Sequence, residues 1–262
     1  MKIGFFDSGV GGLLILRAVR EHMPEYTYLY YGDTAHVPYG NRSEAEIYEL
    51  TKQGVAYLFA HDCALVVIAC NTASAESLRR LQDEYLEENY PDRRILGVII
   101  PTVEELIESD ATSALLIATT RTVESKKYSL ELAHRTHTQT NLRACAVPEL
   151  VPLIEQGKVS KAAKKAIAVI REAGASCDTV VLGCTHYGVL KKALRKHFES
   201  KMTIISQDEI IPYKLEEYVN RHSEIKTRLS TTGKCIIHLT DSGEEYMHTY
   251  ELILGAAVFE RG

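Results

Sequence analysis

Two stretches of this 262-residue chain follow nearly the same pattern, and they constrain the fold more than any other feature. Residues 64–72 and 179–186 each form a short apolar, β-branched run that ends in a cysteine followed by polar residues. Such a run between helical patterns is typical of a buried strand in a parallel sheet. Cys70 and Cys184 therefore fall at the carboxyl ends of their strands, where open α/β sheets bind ligands.

The spacing of the cysteines indicates a weak internal repeat. The two cysteines that end the strands are 114 positions apart (184 − 70), and Cys63 and Cys177 have the same separation (177 − 63). We infer two similar half-domains, each of which contributes one thiol to a shared cleft. Cys63 and Cys177 stand at the starts of their strands, so we interpret them, like Cys145 and Cys235, as packing residues.

Strand and helix patterns alternate along the rest of the chain, which predicts a parallel sheet with helices on both faces. Besides the two cysteine stretches, strands are predicted at 3–6, 26–31, 95–100, 114–118, 142–146, 202–205 and 235–239. Helices are predicted at 13–22, 44–60, 74–88, 102–109, 123–135, 148–156, 161–173, 189–198, 212–222 and 242–254.

Composition and charge narrow the class of protein. Hydrophobic residues make up 45% and charged residues 25% of the chain, so it is long and apolar enough to bury a sizeable core. The net charge of −5 and the lack of a long basic run argue against nucleic acid as a partner. No apolar run approaches the roughly 20 residues of a membrane span, and the first residues do not resemble a signal peptide. We therefore expect a reducing cytoplasm and free thiols.

Several kinds of chemistry use cysteine, and spacing argues against some of them. Cys184 and His186 stand two positions apart without a second close Cys/His pair, so zinc-ligand spacing is absent. There is no Cys-x-x-Cys motif of the kind that redox pairs use. A Cys–His nucleophile would use Cys184 but would leave Cys70 without a role.

The remaining interpretation uses both thiols as acid and base. One thiolate takes the proton from a carbon next to a carboxylate, and a thiol on the opposite face returns one, which inverts the stereocentre. A free thiol has a pKa of about 8.5, so both protonation states are accessible near neutral pH. Asp7 and His186 are the ionisable residues available to support the two thiolates.

Polar loops follow the first two predicted strands. The segment 7–12 is rich in glycine and leads into a helix, whose free N–H groups suit a carboxylate or phosphate. Its glycine spacing departs from the dinucleotide fingerprint, and a plain strand-to-helix turn is the simpler interpretation. The loop 32–40 is polar with an aromatic residue, which is typical of a substrate-facing loop, although an ordinary surface loop is the alternative.

Four motifs at consistent spacing closely resemble those of the glutamate racemases. They are Phe6–Gly12, Asp33–Gly40, Cys70–Ala75 and Leu182–Tyr187, with weaker matches at 122–128, 151–157 and 232–233. The matches extend over essentially the whole chain. The resemblance places the chain in the aspartate/glutamate racemase superfamily and implies an isomerase that interconverts L- and D-glutamate without a cofactor.

The resemblance also implies a fold of the α/β class. Two flavodoxin-like parallel-sheet domains with pseudo-twofold symmetry are expected to face each other across the active site. The first domain would comprise residues 1–95 together with the C-terminal segment 207–262, and the second would comprise residues 96–206.

Carried over position by position, the resemblance implies a set of site residues. The catalytic thiols would be Cys70 and Cys184, assisted by Asp7 and His186. The substrate-binding positions would be Asp7, Ser8, Tyr39, Gly40, Asn71, Thr72, Thr185 and His186. No metal is expected. Glutamate would be the small-molecule partner, no membrane or nucleic acid is expected, and a homodimer is a candidate assembly. The product D-glutamate would enter bacterial peptidoglycan.

The chain departs from the family pattern at three places outside the matched catalytic motifs. Gly188 stands where the family usually has proline, Ile100-Pro101-Thr102 replaces the common Glu-Pro-Gly, and Ser206-Gln207 replaces Asp-Pro or Asp-Ser. Two other functions stay open at this point. One is racemisation of aspartate or another acidic amino acid, and the other is non-catalytic binding of an amino acid by a regulator on the same scaffold.

Overall fold

The structure, a computed structural model, describes residues 1–135 and 140–241 and the backbone of 260–261. Within these ranges, the strands form two sheets in which every pairing is parallel. The predicted helix at 242–254 lies outside the described residues.

The first sheet contains the first four strands and the last two, numbered in chain order. Its strands are β1 (Lys2–Asp7), β2 (Tyr28–Gly32), β3 (Cys63–Ile68), β4 (Arg94–Gly97), β9 (Cys235–Leu239) and β10 (Glu260–Arg261), in the spatial order β10-β9-β2-β1-β3-β4. The second sheet consists of β5 (Ser113–Ala118), β6 (Asn141–Ala146), β7 (Thr179–Gly183) and β8 (Thr203–Ile205), in the order β6-β5-β7-β8.

Helices connect these strands, and short 3₁₀ turns occur at the strand ends. The α-helices are α1 (Leu13–His22), α2 (Glu44–Ala60), α3 (Asn71–Arg80), α4 (Glu87–Asn89), α5 (Ile99–Glu108), α6 (Thr120–Glu124), α7 (Lys127–Arg135), α8 (Leu150–Glu155), α9 (Val159–Ala173), α10 (Lys191–Phe198), α11 (Gln207–Arg221) and α12 (Ser223–Lys226). The 3₁₀ turns are Thr34–His36, Tyr39–Asn41, Thr185–Leu190 and Glu199–Lys201, and a π-helical turn spans Leu81–Leu86.

The internal repeat expected from the cysteine spacing corresponds to a shared strand order. The segments β2-β1-β3-β4 and β6-β5-β7-β8 both follow the flavodoxin-like order 2-1-3-4. Cys70 follows the third strand of the first set, and Cys184 follows the third strand of the second. The prediction of two parallel α/β sheets is therefore confirmed, with each thiol at an equivalent strand end.

Side chains of β1 illustrate how helices cover both faces of the first sheet. Ile3 and Phe5 are fully buried and belong to one hydrophobic cluster, which includes Leu16 of α1 and Ile211 of α11. Phe6 points to the other face and packs into the cluster formed with α2. Alternation of side chains along a strand thus places successive apolar residues in two separate cores.

The predicted strand at 95–100 is wrong in its second half. The strand ends at Gly97, and α5 begins at Ile99, so Ile99 and Ile100 belong to the helix. Pro101 lies in the first turn of α5, where no intrahelical partner exists for a backbone N–H, and it is therefore compatible with the helix. No helix among the described residues has the length and apolar character needed to cross a membrane.

Candidate active site

A cavity of about 420 Å³ opens between the carboxyl ends of the two sheets. It contains both cysteines that the sequence singled out, Cys70 from the first sheet and Cys184 from the second. The predicted site residues that line it are Ser8, Tyr39, Gly40, Cys70, Asn71, Thr72, Cys184, Thr185 and His186. Asp7 is the one predicted site residue that is absent from this lining.

Cys70 lies at the start of α3, directly after β3. Its Sγ accepts a hydrogen bond from the backbone N–H of Ala73 at 3.5 Å, and it lies 3.3 Å from Ser8 Oγ. Burial, together with the nearby charge of Asp7, raises the pKa of the Cys70 thiol from 9.0 to about 12. Near neutral pH the free protein therefore holds Cys70 as a thiol, with Ser8 and the α3 backbone placed to support a transient thiolate.

Cys184 has a different neighbour, because the turn after β7 places His186 beside it. The Sγ of Cys184 lies 4.0 Å from His186 Nδ1, and the other ring nitrogen lies 3.1 Å from Glu155 Oε1. Burial by itself would lower the pKa of His186, but contacts with Cys184 and Glu155 raise it well above its ordinary value. The ring, which lies between a carboxylate and a sulfur, therefore favours its imidazolium form.

Asp7 lies behind the cavity wall and joins the two halves of the site. Its Oδ2 accepts from the backbone N–H of Gly9 at 3.1 Å, and its Oδ1 accepts from Thr185 Oγ1 at 3.4 Å. Burial raises the pKa of Asp7, while the charge of His186 opposes the increase. The carboxylate therefore supports the walls around both thiols without itself facing the cavity.

Gly11 shows how closely the first turn approaches the second sheet. A Cβ atom at this position would lie 2.5 Å from Thr185 Oγ1 and 2.6 Å from His186 Nδ1. Real Cβ atoms do not make such contacts, so only glycine lets α1 approach the turn that carries His186. The glycine-rich turn, for which the sequence favoured a plain structural interpretation, thus helps to assemble the site.

Hydrogen bonds across the cavity order the polar side chains of α3. Thr72 Oγ1 lies 2.9 Å from Thr119 Oγ1 and 3.2 Å from Thr122 Oγ1, both from the second sheet's side. The amide of Asn71 is held by Gln207 and Tyr128. These contacts fix two predicted binding residues before any ligand arrives.

The loop after β2 supplies one wall of the cavity through Tyr39 and Gly40. The hydroxyl of Tyr39 donates to Asp33 Oδ2 at 2.6 Å, while His36 Nδ1 lies 2.8 Å from the other oxygen of Asp33. Tyr39 is 2% exposed and its hydroxyl is engaged by Asp33, so little of this side chain is available to a ligand.

Three residues outside the predicted set of site residues also matter to this geometry. Glu155 contacts His186, and its signal was present in the weak motif at 151–157. Thr119 lines the cavity and caps α6. Its hydroxyl directly follows a predicted strand, where the sequence leaves open whether it serves an anion or caps the next helix. Gln207 forms a hydrogen bond with Asn71, which is 136 positions away in the sequence, and no local sequence pattern predicts this contact.

Metal binding finds no support in the described part of the chain, where no group of three His, Cys, Asp or Glu side chains converges as ligands. What the cavity offers instead is a pair of thiols, one next to an imidazolium, with hydroxyl and amide groups around them. Such a set can bind carboxylates and move protons.

Comparisons with known proteins agree with this arrangement. A family model described as Asp/Glu/Hydantoin racemase matches residues 14–210. The glutamate racemase of Roseobacter denitrificans is 36% identical over 236 residues, which cover 85% of this chain and 86% of that protein.

Solved structures extend the similarity to the fold. A glutamate racemase isoform from Bacillus anthracis superposes with a TM-score of 0.87 at 28% identity and covers 100% of this chain and 96% of its own. The glutamate racemase from Francisella tularensis, solved in complex with D-glutamate, gives a TM-score of 0.83 at 25% identity and covers 99% of this chain and 95% of its own. The chain therefore belongs to the Asp/Glu/Hydantoin racemase family, and within it to the glutamate racemases.

Proposed function

We propose that this isomerase interconverts L- and D-glutamate by a two-thiol mechanism, with Cys184 as the base for L-glutamate and Cys70 as the base for D-glutamate. The observation that carries the proposal is the position of the two thiols. They line one cavity from equivalent strand ends of two sheets with the same strand order. A racemase of this type needs two groups of similar chemistry on opposite faces of one carbon.

In the direction from L- to D-glutamate, the Cys184 thiolate takes the α-proton. The Cα–H bond breaks, an S–H bond forms on Cys184, and the electron pair stays on the α-carbon next to the carboxylate. Cys70 then gives its proton to the opposite face, so that its S–H bond breaks and a new Cα–H bond forms. The reverse reaction uses the same atoms with the roles of the thiols exchanged.

The charges and pKa values of the free site are suited to the first step of this reaction. The raised pKa of Cys70 keeps its proton available for donation, and His186 Nδ1 lies 4.0 Å from the sulfur of Cys184, which the proposal uses as the base for L-glutamate. The α-proton of an amino acid is weakly acidic, so the base must be a thiolate in a cleft that excludes water. Both cysteines are less than a tenth exposed, which meets that condition.

We also propose roles for the remaining residues. Asp7 assists Cys70 and His186 assists Cys184. Ser8, Tyr39, Gly40, Asn71, Thr72, Thr185 and His186 bind and orient glutamate in the cavity that they line, and Asp7, the other predicted binding residue, contributes through its contact with Thr185. The position of Asp7 behind the wall, with a charge that acts on Cys70, supports an indirect role for this carboxylate.

The wider role follows from the product. We propose that the protein acts in the cytoplasm without a cofactor, supplies D-glutamate for bacterial peptidoglycan and has a homodimer as its candidate assembly. Restored growth of a bacterium that requires D-glutamate would support the supply role, and failure of an expressed, active protein to restore growth would contradict it.

The substrate is tested by incubating the purified protein with each enantiomer of glutamate and of aspartate, followed by chiral chromatography. We expect both enantiomers of glutamate to reach an equal mixture. Interconversion of aspartate alone would show that the substrate is wrong while the mechanism stands. Binding of glutamate without any interconversion would favour the non-catalytic regulator.

A further inference from the structure

A buried polar network behind the cavity holds the side chain of Asn71. Its members are Asn71, Gln207, Tyr128 and Thr102, and each is 3% exposed or less. They come from four different helices, α3, α11, α7 and α5. Because buried polar groups must find partners inside the protein, the donors and acceptors of this network can be counted.

One end of the network is a backbone carbonyl, Val98 O. Thr102 Oγ1 donates its proton to Val98 O at 2.6 Å, so its oxygen can only accept, and it accepts from Gln207 Nε2 at 3.2 Å. That contact fixes the orientation of the Gln207 amide, with its nitrogen towards Thr102. The oxygen of Gln207 then accepts from Asn71 Nδ2 at 2.8 Å, and Gln207 Nε2 donates to Asn71 Oδ1 at 2.9 Å.

Tyr128 completes the set from the other side. Its hydroxyl donates to Asn71 Oδ1 at 2.7 Å. Gln207 Nε2 has only two hydrogens, so the one that does not bind Asn71 is shared between the oxygens of Tyr128 and Thr102, each 3.2 Å away. The carbonyl oxygen of Asn71 therefore accepts two hydrogen bonds, and one of its two amide hydrogens is used by Gln207. One N–H of Asn71 remains for a ligand in the cavity that Asn71 lines.

We propose that Gln207 is a positioning residue that makes Asn71 a hydrogen-bond donor, and not an acceptor, towards a carboxylate of the substrate. An Asn amide that could rotate by 180° would spend part of its time with its oxygen towards the anion, and this orientation would repel the anion. The reciprocal pair of bonds with Gln207, fixed in turn by Thr102, removes that alternative. This inference rests on the proposed function, since it assigns a substrate carboxylate to Asn71.

The test compares Gln207→Met with the wild type in steady-state kinetics for L- and D-glutamate. Met keeps the volume of Gln but offers no hydrogen bond to Asn71. We expect KM to rise about tenfold or more in both directions, since one hydrogen bond to a charged group is weakened, while kcat changes less. Tyr128→Phe, which keeps the ring, should shift KM in the same direction by a smaller factor.

A double variant separates positioning from a general structural effect. If Gln207 acts through Asn71, then Asn71→Ala with Gln207→Met should have the same KM as Asn71→Ala alone. Thr51→Val serves as the control, since it removes a buried hydroxyl that binds Ile47 O and does not line the cavity. Its KM should stay at the wild-type value.

An unchanged KM in Gln207→Met, or additive losses in the double variant, would overturn the inference. A neutron crystal structure of Gln207→Met, which distinguishes the amide oxygen of Asn71 from its nitrogen, provides a readout that needs no activity. A rotated or doubly oriented Asn71 amide supports the inference, and an unchanged one contradicts it. A wild type that binds but does not racemise glutamate would overturn the proposed function, and the orientation of Asn71 would still decide this point.

Discussion

Asp7 is a carboxyl group with no exposure to solvent, and its contacts do not fully offset the loss of water. Burial raises the pKa of Asp7 above 3.8, so the folded chain holds this proton more tightly than the unfolded chain does. The contribution of Asp7 to the free energy of unfolding therefore falls as the pH rises through the raised pKa. This loss of stability accompanies a structural role, because the hydrogen bonds of Asp7 order the cavity walls around both thiols.

We therefore expect Asp7→Asn to be more stable than the wild type at neutral pH and less active. The difference in stability should disappear as the pH falls below 3.8, since the wild-type carboxyl is then neutral in both states. Thermal unfolding between pH 3 and pH 8, together with racemisation assays, measures both effects. An Asp7→Asn protein that is less stable than the wild type at pH 8 would contradict this explanation.

Asp178 provides a control of opposite sign. Although burial acts to raise the pKa of Asp178, hydrogen bonds from Thr112 and Thr179 lower it overall. Asp178→Asn should therefore reduce stability at neutral pH. The difference in stability from the wild type should shrink as the pH falls from 3.8 through the lowered pKa of Asp178.

At the scale of elements, the site depends on the approach of α1 to the turn after β7. Gly11→Ala would place a methyl group against Thr185 and His186. We therefore expect a large fall in kcat and only a small fall in the melting temperature. Gly174→Ala is the matched control, since its Cβ would lie 2.6 Å from Ile170 O, outside the cavity lining. It should lower the melting temperature and leave the activity of the folded protein unchanged. Full activity in Gly11→Ala would contradict the role of this approach.

Local sequence patterns predict the alternation of elements better than their ends. The apolar runs before Cys70 and Cys184 are strands, as predicted, because such runs must be buried on both faces. The helix predicted at 74–88 starts earlier, at Asn71, and changes to a π-helical turn after Arg80. The polar start of that helix is buried against the second sheet's side, and periodicity alone does not show this.

In the candidate site, too, local sequence patterns predict some residues and not others. Residues at strand ends, such as Ser8 and Thr185, were predictable because parallel strands end at one edge of a sheet. Glu155 and Gln207 reach the site through tertiary contacts with His186 and Asn71, so their roles depend on how helices pack. Local sequence patterns do not predict which residues come together through such packing.

At the scale of the whole molecule, we propose the domain division 1–95 with 207–262, and 96–206. It is supported by β9, which pairs with β2 in the first sheet, and by α11, which packs on α1. The cavity then lies between the domains, and ion pairs outside the cavity lining also join them. One such contact is the ion pair between Glu76 of α3 and Arg121 of α6, with Oε1 and Nε 2.9 Å apart.

The ion pair predicts a measurable coupling between the domains. Glu76 is nearly buried, so Arg121→Met should reduce the free energy of unfolding by about 1–3 kcal/mol, because a carboxylate loses its partner. Adding Glu76→Gln should recover part of that loss, because the uncompensated charge is removed. Chemical denaturation of both single variants and the double variant gives the coupling. If the effects of the two substitutions on the free energy of unfolding are purely additive, the two residues do not stabilise the protein as a pair.

The central claim is that two thiols act on opposite faces of one carbon, and exchange of the α-hydrogen in D₂O tests it most directly. We expect that neither Cys70→Ala nor Cys184→Ala racemises glutamate. Cys70→Ala should incorporate deuterium only into L-glutamate, and Cys184→Ala only into D-glutamate, while Cys63→Ala should behave as the wild type because Cys63 is a buried packing residue. Two-way racemisation by either single-thiol variant, or deuterium in both enantiomers, would contradict the account.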